Sequence, residues 1–210
     1  MTADLQHLTD RLTDPEAGAV PWLWQPLLAL LAHGSPVTVP DLSAATGRSI
    51  PDVRQGLAAM PDTEYDSHGR ILGHGLTLVP TPHRFELAGQ TLYTWCALDT
   101  LIFPTILGLP AQVQSPCHIT GEPVRLSVDA TGVTGLEPAN AVVSLVDPAD
   151  LTSIRSAFCN EVHFFASPEA AQPWLLEHPP AAVLPVADVH QLARPLAQSL
   201  LVAHAPKGCC

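Results

Sequence analysis

Two cysteines and one aspartate are the residues of this chain best suited to chemistry. Trp95-Cys96-Ala97-Leu98-Asp99 sets a thiol and a carboxylate three residues apart, and Cys159 lies within Ala157-Phe158-Cys159-Asn160-Glu161-Val162-His163-Phe164-Phe165. On a helix, residues three apart share one face. Both cysteines are flanked by aromatic and aliphatic residues, and spacing alone does not bring them together. Soft thiolates with one hard carboxylate are poor ligands for Mg or Ca and good ones for a soft metal that prefers linear coordination.

The remaining cysteines are Cys117, next to His118, and the terminal pair Cys209-Cys210. Five cysteines without regular spacing make no secreted disulfide framework, and no C-x-x-C pair marks a zinc ribbon or a thioredoxin-type site. Ten histidines without H-x-x-x-H spacing do not suggest a zinc site either. His163 reads as a structural histidine and Cys117 as a buried thiol that packs.

The elements that must position these groups come from a chain of 210 residues, 47% apolar and 14% charged, with 22 prolines. That is enough apolar residue for a substantial core and enough proline to punctuate many short elements. Nine basic residues against 20 acids give a net charge of −11, which argues against binding nucleic acid or anionic lipid through bulk charge. The opening Met1-Thr2-Ala3-Asp4 has no basic n-region, so a cytoplasmic location is expected. The charge-free stretches from Ala17 to Gly34 and from Thr100 to Gly121 are broken by prolines, so neither is a clean membrane span.

Residues 1–80 read as a winged-helix-like domain. Trp22, Leu23, Pro26, Leu27, Leu30 and Leu31 recur at helical spacing. Pro40 to Gly47 predicts a short helix ended by glycine. Ser49-Ile50-Pro51-Asp52 predicts a capped helix, with Ile50, Val53, Leu57 and Met60 on its apolar face. Tyr65 to Ile71 then supplies a glycine turn between short strands. A DNA-binding regulator is the obvious reading of that shape, but four arginines against nine acids leave this domain at −5.

Beyond Pro80-Thr81-Pro82, residues 81–210 read as a mixed β-sheet domain with flanking helices, which makes the fold class α+β. Strands are predicted at Arg84–Leu87, Val113–Ile119, Val124–Val128, Ala141–Val146 and Val162–Phe165. Helices are predicted from Thr91 to Phe103, stopped by Pro104, and from Asp147-Pro148-Ala149-Asp150 onward. Two more are expected from Ser167-Pro168-Glu169 and from about Asp188 to Ala203. The tail carrying Cys209 and Cys210 is expected to be flexible.

Leu92-Tyr93-Thr94-Trp95-Cys96-Ala97-Leu98-Asp99-Thr100-Leu101-Ile102-Phe103-Pro104, Phe158-Cys159 and Val162-His163-Phe164-Phe165-Ala166-Ser167 closely resemble the alkylmercury (organomercurial) lyases of bacterial mercury resistance. Thr63-Glu64-Tyr65-Asp66 and Gly73-His74-Gly75-Leu76-Thr77-Leu78 are similar to that family's wing region. The likeness runs from roughly residue 25 to 180. It implies an N-terminal winged-helix-like domain and a C-terminal mixed sheet peculiar to the family. It also implies protonolysis of a carbon–mercury bond, R–Hg–X giving RH and Hg(II). Carried over, Cys96 and Cys159 match the two essential thiols and Asp99 the catalytic carboxylate. These three would hold mercury as substrate and product, with no metal cofactor. Trp95 and Phe158 would line a dry pocket for the organic group. Free cellular thiols and a mercuric reductase are the implied recipients of Hg(II). Some members carry a second cysteine directly after the one matching Cys159; Asn160 stands there in this chain, outside the catalytic core.

Two other classes compete with a lyase. A metal-sensing winged-helix regulator would need thiols near its recognition helix, and residues 1–80 contain no cysteine. A passive mercury-binding protein would use the thiols but give Asp99 no work.

Overall fold

The computed structural model describes residues 20–147 and 153–202. Three helices come first: α1 (Pro21–Leu31), α2 (Val39–Thr46) and α3 (Ile50–Ala58). Leu23, Leu27, Leu28 and Leu31 form the fully buried stripe of α1. Thr38 caps α2 with a capping box: its Oγ1 accepts the Asp41 N–H at 3.2 Å, and the Asp41 carboxylate accepts the Thr38 N–H at 2.9 Å. Gly47 ends the helix in the left-handed conformation. Ser49 accepts the Asp52 N–H at 3.3 Å and starts α3, whose Val53 and Leu57 are buried. The turn of the hairpin is held by Asp66, whose carboxylate accepts the backbone N–H groups of His68 and Arg70 at 2.9 Å. The Gly47 stop, the Ser49 cap and the glycine turn match the expectation from sequence; the Thr38 capping box adds a start that the expected helix did not include.

The strands β1 (Glu64–Tyr65), β2 (Ile71–His74) and β3 (Leu76–Thr77) do not stand apart as a wing. They form one end of an eight-stranded sheet completed by β4 (His83–Leu87), β5 (Gln90–Thr94), β6 (Ala111–Pro116), β7 (Pro123–Val128) and β8 (Val133–Glu137). The order is β1-β2-β3-β5-β4-β6-β7-β8, and Leu76 and Thr77 pair with Thr94 and Tyr93 across the junction near residue 80. A second sheet, β10-β9-β11, consists of β9 (Val142–Leu145), β10 (Phe164–Phe165) and β11 (Ala182–Pro185).

The α+β order holds, but every strand pairing among the described residues is antiparallel, where a mixed sheet was expected. A helix does join two parallel strands, β5 and β6; the crossover passes over β4, which sits between them and pairs antiparallel with both. That helix, α4 (Ala97–Leu107), differs from the expected Thr91–Phe103 span. Thr91 to Thr94 belong to β5, and Pro104 lies inside the helix. Nine of its eleven residues are buried, and it packs against the long helix α7 (Val186–Val202). Burial on all sides explains why the proline is tolerated: apolar packing outweighs one missing backbone hydrogen bond.

The remaining helices are α5 (Ile154–Ala157) and α6 (Pro168–Glu177), the latter capped by Ser167. The start expected at Asp147-Pro148-Ala149-Asp150 lies mostly outside the described residues, as do Cys209 and Cys210. No helix among the described residues is long and apolar enough to cross a membrane.

Gly75, between β2 and β3, couples the two halves of the sheet. Its φ is +83°, its carbonyl accepts the Trp95 N–H at 2.9 Å, and an added Cβ would lie 2.9 Å from the Phe103 ring. Gly75→Ala should therefore cost about 2–4 kcal/mol from left-handed strain and overpacking together. A urea midpoint equal to the parent's would refute that account.

Candidate active site

Cys96 owes its position to the transition from strand to helix. After β5 ends at Thr94, Cys96 stays extended (φ −145°, ψ 172°) as the residue before the first turn of α4. The carboxylate of Asp99, third in the helix, reaches back and accepts the Cys96 backbone N–H at 3.2 Å. Spacing of three was expected to place the two groups on a helix face. The structure joins them instead through this reach-back at the helix start, because Cys96 is not yet helical. Ala97 N–H donates to Val162 O at 3.0 Å, tying the start of the helix to the segment that follows Cys159.

Cys159 opens a single 3-10 turn, Cys159–Glu161, between α5 and β10. Ser144 on β9 fixes the far side of that turn: its hydroxyl donates to Glu161 O and accepts the His163 N–H, both at 2.8 Å. The near side is fixed from the N-terminal unit. The Asp62 carboxylate accepts the Ser153 hydroxyl at 2.8 Å and the Arg155 N–H at 3.2 Å. Arg155 itself pairs with Glu64 at 2.5 Å, and Thr77 donates a short bond to the other oxygen of Glu64.

These two segments bring Cys96, Asp99 and Cys159 together, with a ligand atom of each within 4.8 Å of the others. All three side chains are buried. Burial pushes the Cys96 thiol well above its ordinary value, and its contact with Cys159 and the charge of Asp99 push the same way. For Cys159 the interaction with Cys96 pulls downward, yet burial and the carboxylates of Asp99 and Asp62 leave the thiol raised. Burial lifts the Asp99 carboxyl to about 7, against the opposing pull of the Cys96 thiol and backbone N–H. Two protonated thiols therefore face a carboxyl group that exchanges its proton near neutral pH.

Trp95 and Phe158, the neighbours of the two thiols, are both buried in the same core. The Arg155 guanidinium lies 4.7 Å from the centroid of the Trp95 ring, and the His74 ring lies 5.0 Å away. The Trp95 indole nitrogen is buried without a hydrogen-bond partner among the described residues. Burial holds His74 down at about 4, so the imidazole beside Trp95 is neutral at pH 7.

The other chemically suggestive residues sit elsewhere. Cys117 is buried in a separate small core with Phe165 and Trp174. His163 stacks on His118 at 3.8 Å, and burial lowers it to about 4. A surface hollow of about 400 Å3 is lined by Glu86, Gln90, Thr91, Gln112 and Ser127 and contains neither thiol of the cluster. Nothing in the sequence marks Asp62, Arg155 or His74 as site neighbours: Asp62 reaches Arg155 across about ninety residues, and His74 meets Trp95 only through the sheet.

Comparison with known proteins agrees with this geometry. A family model for alkylmercury lyase matches residues 76–198, and one for the helix-turn-helix domain of alkylmercury lyase matches residues 4–75. An alkylmercury lyase of Streptomyces lividans is 60% identical over the whole of both chains. One from Staphylococcus epidermidis is 51% identical, covering 97% of this chain and 94% of its own. The crystal structure of the mercury-bound form of MerB2 superposes with a TM-score of 0.73 at 24% identity, covering 95% of this chain and 98% of the other, and so shares the fold. Full-length identity at this level, over a chain whose buried thiols and carboxyl meet at one point, places it plainly: the chain belongs to the alkylmercury lyase family, enzymes that cleave carbon–mercury bonds.

Proposed function

We propose that Cys96, Cys159 and Asp99 carry out the protonolysis, with Trp95 and Phe158 beside the organic group. The observation that carries this reading is the convergence of two thiols and a carboxyl within 4.8 Å in a buried setting. Cys159 exchanges first: its sulfur bonds to mercury while its proton leaves with X as HX. The Cys96 sulfur follows, and its proton passes to the Asp99 carboxylate. Two sulfur donors push charge onto carbon and weaken the Hg–C bond. Asp99 then returns its proton to carbon, the Hg–C electron pair forms the new C–H bond, and RH departs. Mercury remains as a bis-thiolate of Cys96 and Cys159. A carboxyl near 7 suits both halves of this shuttle, since it can accept and release a proton at neutral pH.

Two external thiols can then extract Hg(II) by exchange, returning protons to the cysteines; free cellular thiols and a mercuric reductase are the proposed recipients. Two thiols held together compete with free thiol through effective concentration. The three free cysteines among the described residues suit a reducing cytoplasm. In this reading residues 81–210 are the catalytic unit and residues 1–80 a helical unit that braces it, with no task on nucleic acid.

Turnover of phenylmercury in D2O with excess thiol tests the proton's origin. Thiol and carboxyl protons exchange with solvent, so the benzene should carry one deuterium. Unlabelled benzene would overturn the shuttle, and mercury capture without benzene would leave a passive binder.

A further inference from the structure

We propose that Asp62 is a positioning residue for Cys159, and that bracing this thiol is the contribution of the N-terminal helical unit to the reaction. The inference rests on the proposed role of Cys159. Asp62 follows α3, in the loop that leads into β1, and belongs to no strand or helix of the catalytic unit. Its two carboxylate oxygens take two donors from a segment about ninety residues away, the Ser153 hydroxyl and the Arg155 N–H. Those donors are the residue before α5 and a residue of its first turn. The N-terminal N–H groups of a helix have no intrahelical acceptor, and Asp62 supplies one from outside the segment.

The placement matters because α5 is four residues long and leads directly to Cys159, with only Phe158 between them. A helix this short does not hold itself together in water. Its start is held by Asp62, and its far end continues into the 3-10 turn gripped by Ser144. Cys159 is thus held from β9 on one side and from the helical unit on the other, where the Arg155–Glu64 ion pair adds to the Asp62 contacts. Removing the Asp62 contacts unfastens the start of α5, leaving Glu64 to hold it only through the Arg155 side chain, and displacements of the thiol by about 1 Å can cost about 10²-fold in rate.

Asp62 holds two contacts and also, by its charge, helps keep the Cys159 thiol raised, so two variants are needed. Asp62→Asn can keep both contacts, with Oδ1 accepting the Arg155 N–H and Nδ2 donating to the Ser153 hydroxyl, while the charge is lost. Asp62→Ala loses both contacts. The full-length parent and both variants are compared in phenylmercury turnover, and in the rate at which iodoacetamide labels Cys159, resolved by peptide mass spectrometry. The Ala variant should lose about 10²-fold in kcat with a smaller change in KM, and its Cys159 should label about tenfold faster. The Asn variant should recover most of kcat and label more slowly than the Ala variant, its remaining excess over the parent reflecting loss of the Asp62 charge that helps keep the thiol raised. Parent-like kcat and labelling in Asp62→Ala would overturn the proposal, as would an Asn variant as impaired as the Ala variant. Should the Ala variant fail to fold, the Asn variant decides alone through turnover: retained kcat upholds positioning by the contacts, and its loss overturns it. Labelling does not depend on catalysis. Faster labelling with unchanged turnover would uphold the brace and strike instead at the role of Cys159.

Discussion

Cys96→Ser and Cys159→Ser should each stop hydrocarbon release, by at least about 10³-fold, while leaving the protein folded. Serine is close to cysteine in volume, so the buried site keeps its shape, but its hard oxygen is a poor partner for soft mercury. With one thiol gone, the mercurial is held by a single exchangeable bond. Millimolar free thiol then removes it faster than carbon can be protonated. The Hg–C bond also lacks the second donor that would weaken it. Benzene production by gas chromatography and mercury retained after gel filtration measure the two halves of this argument. Either variant keeping a tenth of the parent's turnover would sink the two-thiol mechanism.

Asp99→Asn should separate capture from cleavage. The amide oxygen can still accept the Cys96 N–H, so the thiols should stay in place and mercury should still bind. With no group to take and return the proton, turnover should fall by about 10³-fold or more. In the parent, activity should rise with pH through about 7 as the carboxylate becomes available, and the variant should lose that limb. Stability should move oppositely. Asp99 is raised in the folded protein, so it favours folding below the ordinary carboxyl value of 3.8, and that advantage is lost as pH rises through about 7. A shift of this size corresponds to roughly 4 kcal/mol. The variant should therefore gain Tm on the parent as pH is raised from 4 to 8, by several degrees. Parent-like turnover would make Asp99 a bystander. A pH-independent difference in Tm would deny its buried ionisation.

The reach of the sequence in this chain follows the range of the interactions. Caps and turns are local, so Ser49, Gly47 and the Asp66–Gly69 turn announced their elements. The stretch from Thr91 to Phe103 misled because its apolar residues continue from the strand half into the helix half, with no break in the sequence to divide the two. Cys96, a residue seldom used as a cap, hid the boundary. β8 and β11 escaped because Gly135 interrupts one and Pro185 ends the other; each forms because a neighbour supplies its partner. The site was legible as three residues with a family resemblance. Its surroundings were not: nothing near Asp62 in the sequence points to Ser153 or Arg155, and nothing near His74 points to Trp95.

The continuity of the eight-stranded sheet across residue 80 limits how this enzyme can be trimmed. A fragment beginning at Thr81 would bare the edge of β5 at Tyr93 and Thr94, where β3 is now paired. It would also uncover Phe103, against which Trp24 of α1 lies at 5.9 Å, and strip the Trp95 N–H of its acceptor beside Cys96. An unpaired strand edge next to an exposed aromatic is a template for association with other chains. A minimal mercury-cleaving module for a sensor or a filter must therefore retain α1, the Asp62–Glu64 segment and the β2–β3 hairpin, and fusion partners belong at the Gly69 turn or the Asp129–Gly132 turn, where the backbone already faces water.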